Sequence, residues 1–213
     1  MEKKLSRIEK EKISRKEYII DSAEKLFFKN GFENVSMDII AKESEFTKST
    51  IYKYFPSKED LYFAVALNGY KKLFLCFQKN NRSGTNGYEN IFFSLKAYYK
   101  FYKEYPECFR VISSIGFIKS NGEISHDNLQ EWQNIDNQIF SEIIKLIEKG
   151  KKDGSILDFI DSKKTTYSII FIITGFFNLF AETGNNFINY ISLDEKDFIN
   201  YTLDLIANTI KKK

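Results

Sequence analysis

Apolar residues recur along almost the whole 213-residue chain with helical rather than strand spacing. Ile19, Ala23, Leu26 and Phe27 fall at i, i+4, i+7 and i+8, one face of a helix that opens near Ser14 and ends at Asn30-Gly31, with Gly31 suited to the left-handed position beyond the last turn. Residues 1–13 mix Lys, Arg and Glu without an apolar face and are expected to form a frayed extension. Ser36 is a good N-cap for a second helix, with Asp38 near its positive end and Met37, Ile40, Ala41 and Ser44 on its inner face. Thr47 can cap a third helix, Lys48–Phe55, which Pro56 stops. Ser57 with Asp60 resembles a capping box and opens a fourth helix, to about Lys79.

Further helical patterns follow a Gly/Asn-rich loop, NNRSGTNG: Tyr88–Glu104, Pro106 to about Ile118, Ile124–Lys151, Ser162–Thr183 and Leu193–Lys212. Ser192 with Glu195 reads as a capping box for the last of these. No run alternates with period 2 long enough for a convincing strand. The pattern predicts an all-α chain of about nine helices. A helix-turn-helix unit is expected over residues 1–56, and a second helical domain over residues 57–213.

Composition narrows the function. The formal net charge is only +3, so a nucleic-acid footprint has to be local. Phe46–Lys58 supplies one, carrying Lys48, Lys53 and Lys58 and no acid. Cys76 and Cys108 fit no metal-ligand spacing, and His126 is the only histidine. A catalytic triad or a His/Cys zinc site has almost nothing to be made from, so no enzyme, metal or cofactor is expected. Two separated cysteines fit a reduced cytosolic compartment with buried thiols. The N-terminus lacks the apolar stretch of a secretory signal. The most apolar run, Ser168–Ala181, is short for a membrane span and is interrupted by Thr174, Gly175 and Asn178, so a buried helix is expected.

The stretch around the third helix carries the most specific chemistry. At about 100° per residue, Ile51 and Phe55 share one side, while Ser49, Thr50, Tyr52 and Lys53 occupy the opposite half. Hydroxyls, a phenol and an ammonium can donate to phosphates and base-edge acceptors in the major groove of DNA. Tyr54 lies at the flank, and Lys58 starts the next helix, where free backbone N–H groups also favour an anion.

The segment GFENVSMDIIAKESEFTKSTIYKYFPSKEDL resembles the N-terminal domain of the tetracycline-repressor (TetR) family of bacterial transcription regulators. The matching positions are Gly31-Phe32, Ser36, Ile40-Ala41, Thr50-Ile51-Tyr52, Phe55 and Ser57-Lys58-Glu59. The resemblance implies that Ser36 touches a phosphate, that Lys48, Ser49, Thr50, Tyr52, Lys53 and Tyr54 face DNA, and that Lys58 binds backbone. Thr47, the cap of the same helix, completes the DNA-binding set. Two positions depart from the family pattern: Glu45 replaces the usual turn glycine, and Ser49 replaces a small glycine of the third helix.

The resemblance also implies a C-terminal region that binds a small molecule and forms a homodimer. Candidate pocket residues are Phe63, Tyr98, Tyr102, Phe109, Trp132 and Phe176. Candidate interface residues are Phe176, Phe180, Ile199, Leu203, Ile206 and Ile210, with Phe198, Tyr201 and Leu205 forming a neighbouring stripe on the last helix. The apolar character favours a hydrophobic or aromatic effector. The expected function is a cytoplasmic, ligand-responsive regulator, a repressor released from a double-stranded operator. The alternative is a DNA-bound scaffold or activator that recruits a protein partner and senses no ligand.

Overall fold

The computed structural model describes residues 6–80 and 84–212. Among these the chain forms ten helices: α1 (Arg7–Asn30), α2 (Met37–Glu43), α3 (Lys48–Tyr52), α4 (Lys58–Asn80), α5 (Gly87–Glu104), α6 (Pro106–Ser113), α7 (Ile115–Asn121), α8 (His126–Asp153), α9 (Ser162–Ile191) and α10 (Glu195–Asn208). Extended pairing among the described residues is limited to an isolated antiparallel bridge between Ile156 and Lys211. The all-α expectation therefore holds. The tenth helix arises where Pro106–Ile118 divides into α6 and α7. There Ser113 Oγ donates to the Phe109 carbonyl at 2.9 Å and Ser114 Oγ to the Val111 carbonyl at 2.8 Å. Such hydroxyls compete with the backbone ladder for the same acceptors.

Three local expectations need correction. The extension over residues 1–13 is not frayed from Arg7 onward. Ser6 and Glu9 form a capping box, with Ser6 N donating to Glu9 Oε2 at 2.7 Å and Glu9 N to Ser6 Oγ at 3.2 Å. Residues 1–5 lie outside the described residues, as do residues 81–83 of the Gly/Asn-rich loop. The helix expected to end at Thr183 continues to Ile191, where Ser192 adopts φ 55° and closes it. Ser192 therefore does not cap α10; Asp194 does, accepting from Asp197 N at 2.8 Å, as a charged acceptor suits a helix N-terminus.

The chain divides into two compact units, Met1–Lys71 with Glu107–Gln133, and Lys72–Pro106 with Asn134–Lys213. The first unit thus reaches beyond residues 1–56. Its core gathers Ile19, Ala23 and Phe27 of α1, Ile40 of α2, Ile51 of α3, and Phe55, all without solvent exposure. Each buried Ile or Phe contributes on the order of 1.5–3 kcal/mol. Arg110 of α6 donates to the carbonyls of Phe27 and Phe28, satisfying the free C-terminal end of α1.

In the second unit, α9 presents Ile169, Ile173, Phe177 and Phe180 inward, and α10 presents Ile199, Leu203 and Ile206, with Ile210 buried just beyond its end. These five, Phe180 and the α10 stripe, were expected at a dimer interface. They are buried within the protomer instead, because helical periodicity does not say which of two apolar stripes turns inward. The segment Ser162–Gly184 has the length and hydropathy to cross a membrane, with 28% of its most apolar window buried. Its outward positions include Phe171, Ile172 and Leu179, all more than half exposed.

Glu45 takes φ 55° in the turn from α2 to α3. A side chain in the left-handed region strains the backbone by about 1–2 kcal/mol, partly offset in a glycine variant by its greater freedom when unfolded. Glu45→Gly is expected to raise stability by up to about 1 kcal/mol. A urea unfolding curve checks this, and a lower midpoint would contradict it.

Candidate nucleic-acid interface

Two capped helices and a proline stop build the site. Ser36 Oγ accepts from Ile39 N at 3.3 Å and starts α2. Thr47 Oγ1 accepts from Thr50 N at 3.1 Å and starts α3. Between them, Ser44 Oγ donates to the Ile40 carbonyl at 2.7 Å, and Phe46 N donates to the Ala41 carbonyl at 3.1 Å. Ile51 and Phe55 are fully buried, which turns the other half of α3 to solvent. Thr47, Lys48, Ser49, Tyr52 and Lys53 are exposed there, and Thr50 and Tyr54 are half-buried.

Ser36, Lys48, Tyr52 and Lys58 are brought together around one surface concavity of about 360 Å³, with Glu33, Asn34 and Asp38 on its walls. Thr47, Ser49, Thr50, Lys53 and Tyr54 lie outside it, on α3 and the turn that follows. A hydroxyl, a phenol and two ammonium groups around a concave opening at a helix N-terminus are suited to a phosphate oxygen. The ridge beside it is suited to base edges.

Sequence reasoning missed two polar partners. Lys48 Nζ donates to Asp38 Oδ2 at 2.8 Å, between exposed side chains. That hydrogen bond holds the Lys48 ammonium above the ordinary lysine range. A raised lysine pKa stabilises the fold below the unfolded value and loses that effect only as pH rises through the folded one, so the pair is intact through neutral pH. Lys58 Nζ donates to the Phe32 carbonyl at 3.0 Å and lies 3.9 Å from the centre of the Phe32 ring. An ammonium has three donors, so this contact positions Lys58 without exhausting it. Asp38 was legible as a helix-start acid, but its reach to a lysine ten residues on depends on the angle between α2 and α3.

The pocket candidates separate. Phe63 and Trp132 meet in the first unit at 5.3 Å between ring centres, and Phe109 is buried on α6 in the same unit. Tyr98, Tyr102 and Phe176 belong to the second unit, where all three pack around Phe177.

Residues 19–65, which span this site, match the family model described as bacterial regulatory proteins, tetR family. The HTH-type transcriptional regulator YhgD of Bacillus subtilis, itself uncharacterized, is 30% identical over 145 residues, covering 68% of this chain and 73% of that protein. The chain belongs to the TetR family. Solved structures agree in fold. A transcriptional regulator from Saccharomonospora viridis in complex with choline superimposes with a TM-score of 0.70 at 18% identity, over 93% of this chain and 98% of that one. The fatty acid degradation regulator FadR from Bacillus halodurans gives 0.66 at 15% identity, over 96% and 97%. As a TetR-family transcriptional regulator the chain acts through DNA, and α2–α3 is its helix-turn-helix.

Asp38 is an acid on the wall of the concavity, and it restrains Lys48. Asp38→Asn is expected to tighten binding to operator and random DNA alike and to steepen the salt dependence by up to about one counterion. It should lower fold stability by roughly 0.3–1 kcal/mol through loss of the helix-start charge. Fluorescence anisotropy at several salt concentrations checks the first claim; unchanged affinity on both DNAs would contradict it.

Proposed function

We propose that this TetR-family chain is a cytoplasmic homodimeric repressor that leaves its operator when a small, largely apolar molecule binds among the helices after Ser57. The observation that carries the reading is the anchoring of the first turn of α4, which follows the DNA-facing helix directly. Ser57 Oγ donates to the Glu123 carbonyl at 2.9 Å. The buried Asp60 Oδ1 accepts from Ser125 N and Ser125 Oγ, both at 2.9 Å, and from Asn128 Nδ2 at 2.8 Å. A Cβ on Gly122 would collide with Glu59. Displacement of the α7–α8 segment is therefore felt at the base of the recognition helix. A ligand changes DNA affinity only by binding two conformations unequally, and this linkage gives the two conformations a structural difference. Proteins of this fold include a regulator solved in complex with choline and a ketosteroid transcriptional regulator of Mycobacterium tuberculosis.

The homodimer is supported by the outward face of α9. Ile172, Leu179 and Tyr190 are spaced by seven and eleven residues, which aligns them on one stripe, and they are 53%, 63% and 87% exposed. Gly175 on the same side leaves open space. Tyr201 and Leu205 of α10 add 67% and 58% exposed apolar surface. A patch of this kind calls for a partner, and two half-sites on DNA require a two-fold one.

Tyr52→Ala is expected to weaken operator binding by on the order of 1–3 kcal/mol with the fold intact. Gel-shift titration on a palindrome from the chain's own promoter checks this; unchanged affinity in a folded variant would remove the recognition role of α3. Leu179→Arg with Tyr201→Glu should give a helical 25.1 kDa monomer with no tight operator binding. Sedimentation equilibrium decides it. A wild-type monomer that binds DNA only with a second protein would favour the scaffold reading.

A further inference from the structure

Trp132 is the only tryptophan in the chain. It lies buried on α8. Tyr70 of α4 stacks on it at 4.2 Å between ring centres and 12° between planes. Phe63, fully buried on α4, tilts against it at 5.3 Å. Into this group reaches Lys119 of α7, an exposed residue whose ammonium lies 4.9 Å from the centre of the Trp132 ring and 5.4 Å from that of Phe63. All four residues belong to the first unit.

One ammonium within about 6 Å of two ring centres is the geometry by which aromatic groups hold cations, and tryptophan is the best single partner. Electron density on the Trp132 face is what attracts the charge, and the stacked Tyr70 fixes the orientation of that face. One turn before Phe63, the fully buried Asp60 leaves Oδ2 without a hydrogen-bond partner among the described residues. Lys119 is a long side chain at an exposed position of α7, whose Ile115 and Ile118 are buried.

We propose that Phe63 and Trp132, backed by Tyr70, form a binding site for a small organic cation of the quaternary-ammonium type, and that Lys119 fills it as a tethered placeholder in the free protein. This rests on the ligand-responsive reading above and names its ligand class. Such a cation carries methyl groups that the apolar rings cover and a diffuse charge that they attract, with weaker hydration to lose than a lysine ammonium. Its entry expels Lys119 and shifts α7, whose C-terminal neighbours Gly122 and Glu123 contact the first turn of α4.

The test uses the full-length protein and the single tryptophan as its own reporter. Choline chloride is titrated against tryptophan emission, with its neutral isostere 3,3-dimethylbutan-1-ol and sodium chloride at matched ionic strength as controls. A saturable change with choline alone is expected. Lys119→Met, which keeps the stem and removes the competing charge at an exposed position, should bind choline about two- to fivefold more tightly. No saturable change in either protein, or an equal response to the neutral isostere, overturns the cation site. A gel shift on the operator in the same titrations separates the two readings. Weakened operator binding supports both. Saturable choline binding with unchanged operator affinity upholds the cation site and overturns its role as effector site. Operator release by neutral apolar compounds, with no choline response, overturns the cation site and upholds the ligand-responsive reading.

Discussion

A five-residue helix has no stability of its own in water, because the first turn costs more in ordered dihedrals than its few hydrogen bonds return. α3 is such a helix, and the DNA-facing surface depends on it. What holds it is burial of Ile51 and Phe55, both without solvent exposure, against the core that α1 and α2 supply. The Thr47 cap sets its start, and the helix ends at Tyr52, short of the Phe55 end that the sequence led one to expect from Pro56, with Lys53 as its C-cap. The polar half of the helix is then rigid because the apolar half is fixed. Side chains such as Tyr52 therefore stand on a preorganised base, which lowers the ordering entropy that binding a partner would cost.

The high aromatic content serves two different purposes. In the second unit it makes a dense core. Tyr98, Tyr99 and Tyr102 of α5 surround Phe177 of α9, and Phe176, Phe180 and Phe187 of α9 meet Phe198 of α10. Edge and tilted contacts of this kind add to area burial without demanding polar partners. Burial pushes the Tyr98 phenol above the ordinary tyrosine range. In the first unit some rings also meet a cation: Phe32 with Lys58, Phe55 with Lys16, and Phe63 and Trp132 with Lys119. Composition registers only the sum of these uses.

Local signals in the sequence translated well where one residue decides the outcome. Ser36 and Thr47 cap as their types require, and Glu45 takes the left-handed turn that the missing glycine implied. Signals failed where two local solutions competed. Ser192 and Asp194 are both good caps, and the chain uses the first to end α9 and the second to start α10. Ser6 with Glu9 was overlooked because residues 7–15 have no apolar face, yet the box and the Glu11–Arg15 pair at 2.6 Å support a helix without one. The α10 stripes were legible as two faces, but their assignment to core or surface is a tertiary fact. The same holds for Lys48, whose attachment to Asp38 is created by the inter-helix angle. The exposed polar half of α3 was readable because a helix-turn-helix encodes its geometry over about twenty residues; a pocket assembled from distant helices has no such local code.

The hydroxyl of Ser57 shows how a DNA-reading element and a distant loop become one cooperative object. A serine hydroxyl has one proton and accepts through its lone pairs. Here the proton goes to the Glu123 carbonyl, and a lone pair receives Asp60 N, the donor in the first turn of α4, at 2.9 Å. The loop carbonyl therefore orients the oxygen that caps the helix. Asp60 closes the circuit from the other side, since the residue whose backbone is capped also supplies the carboxyl oxygen that holds Ser125 and Asn128. Moving the loop away would leave the Asp60 carboxyl buried with unmet hydrogen bonds, a loss on the order of 1–3 kcal/mol per orphaned group. A partial displacement is therefore disfavoured relative to moving α4 and the loop together. Hydrogen bonds shared in this way turn a gradual displacement into a choice between two arrangements.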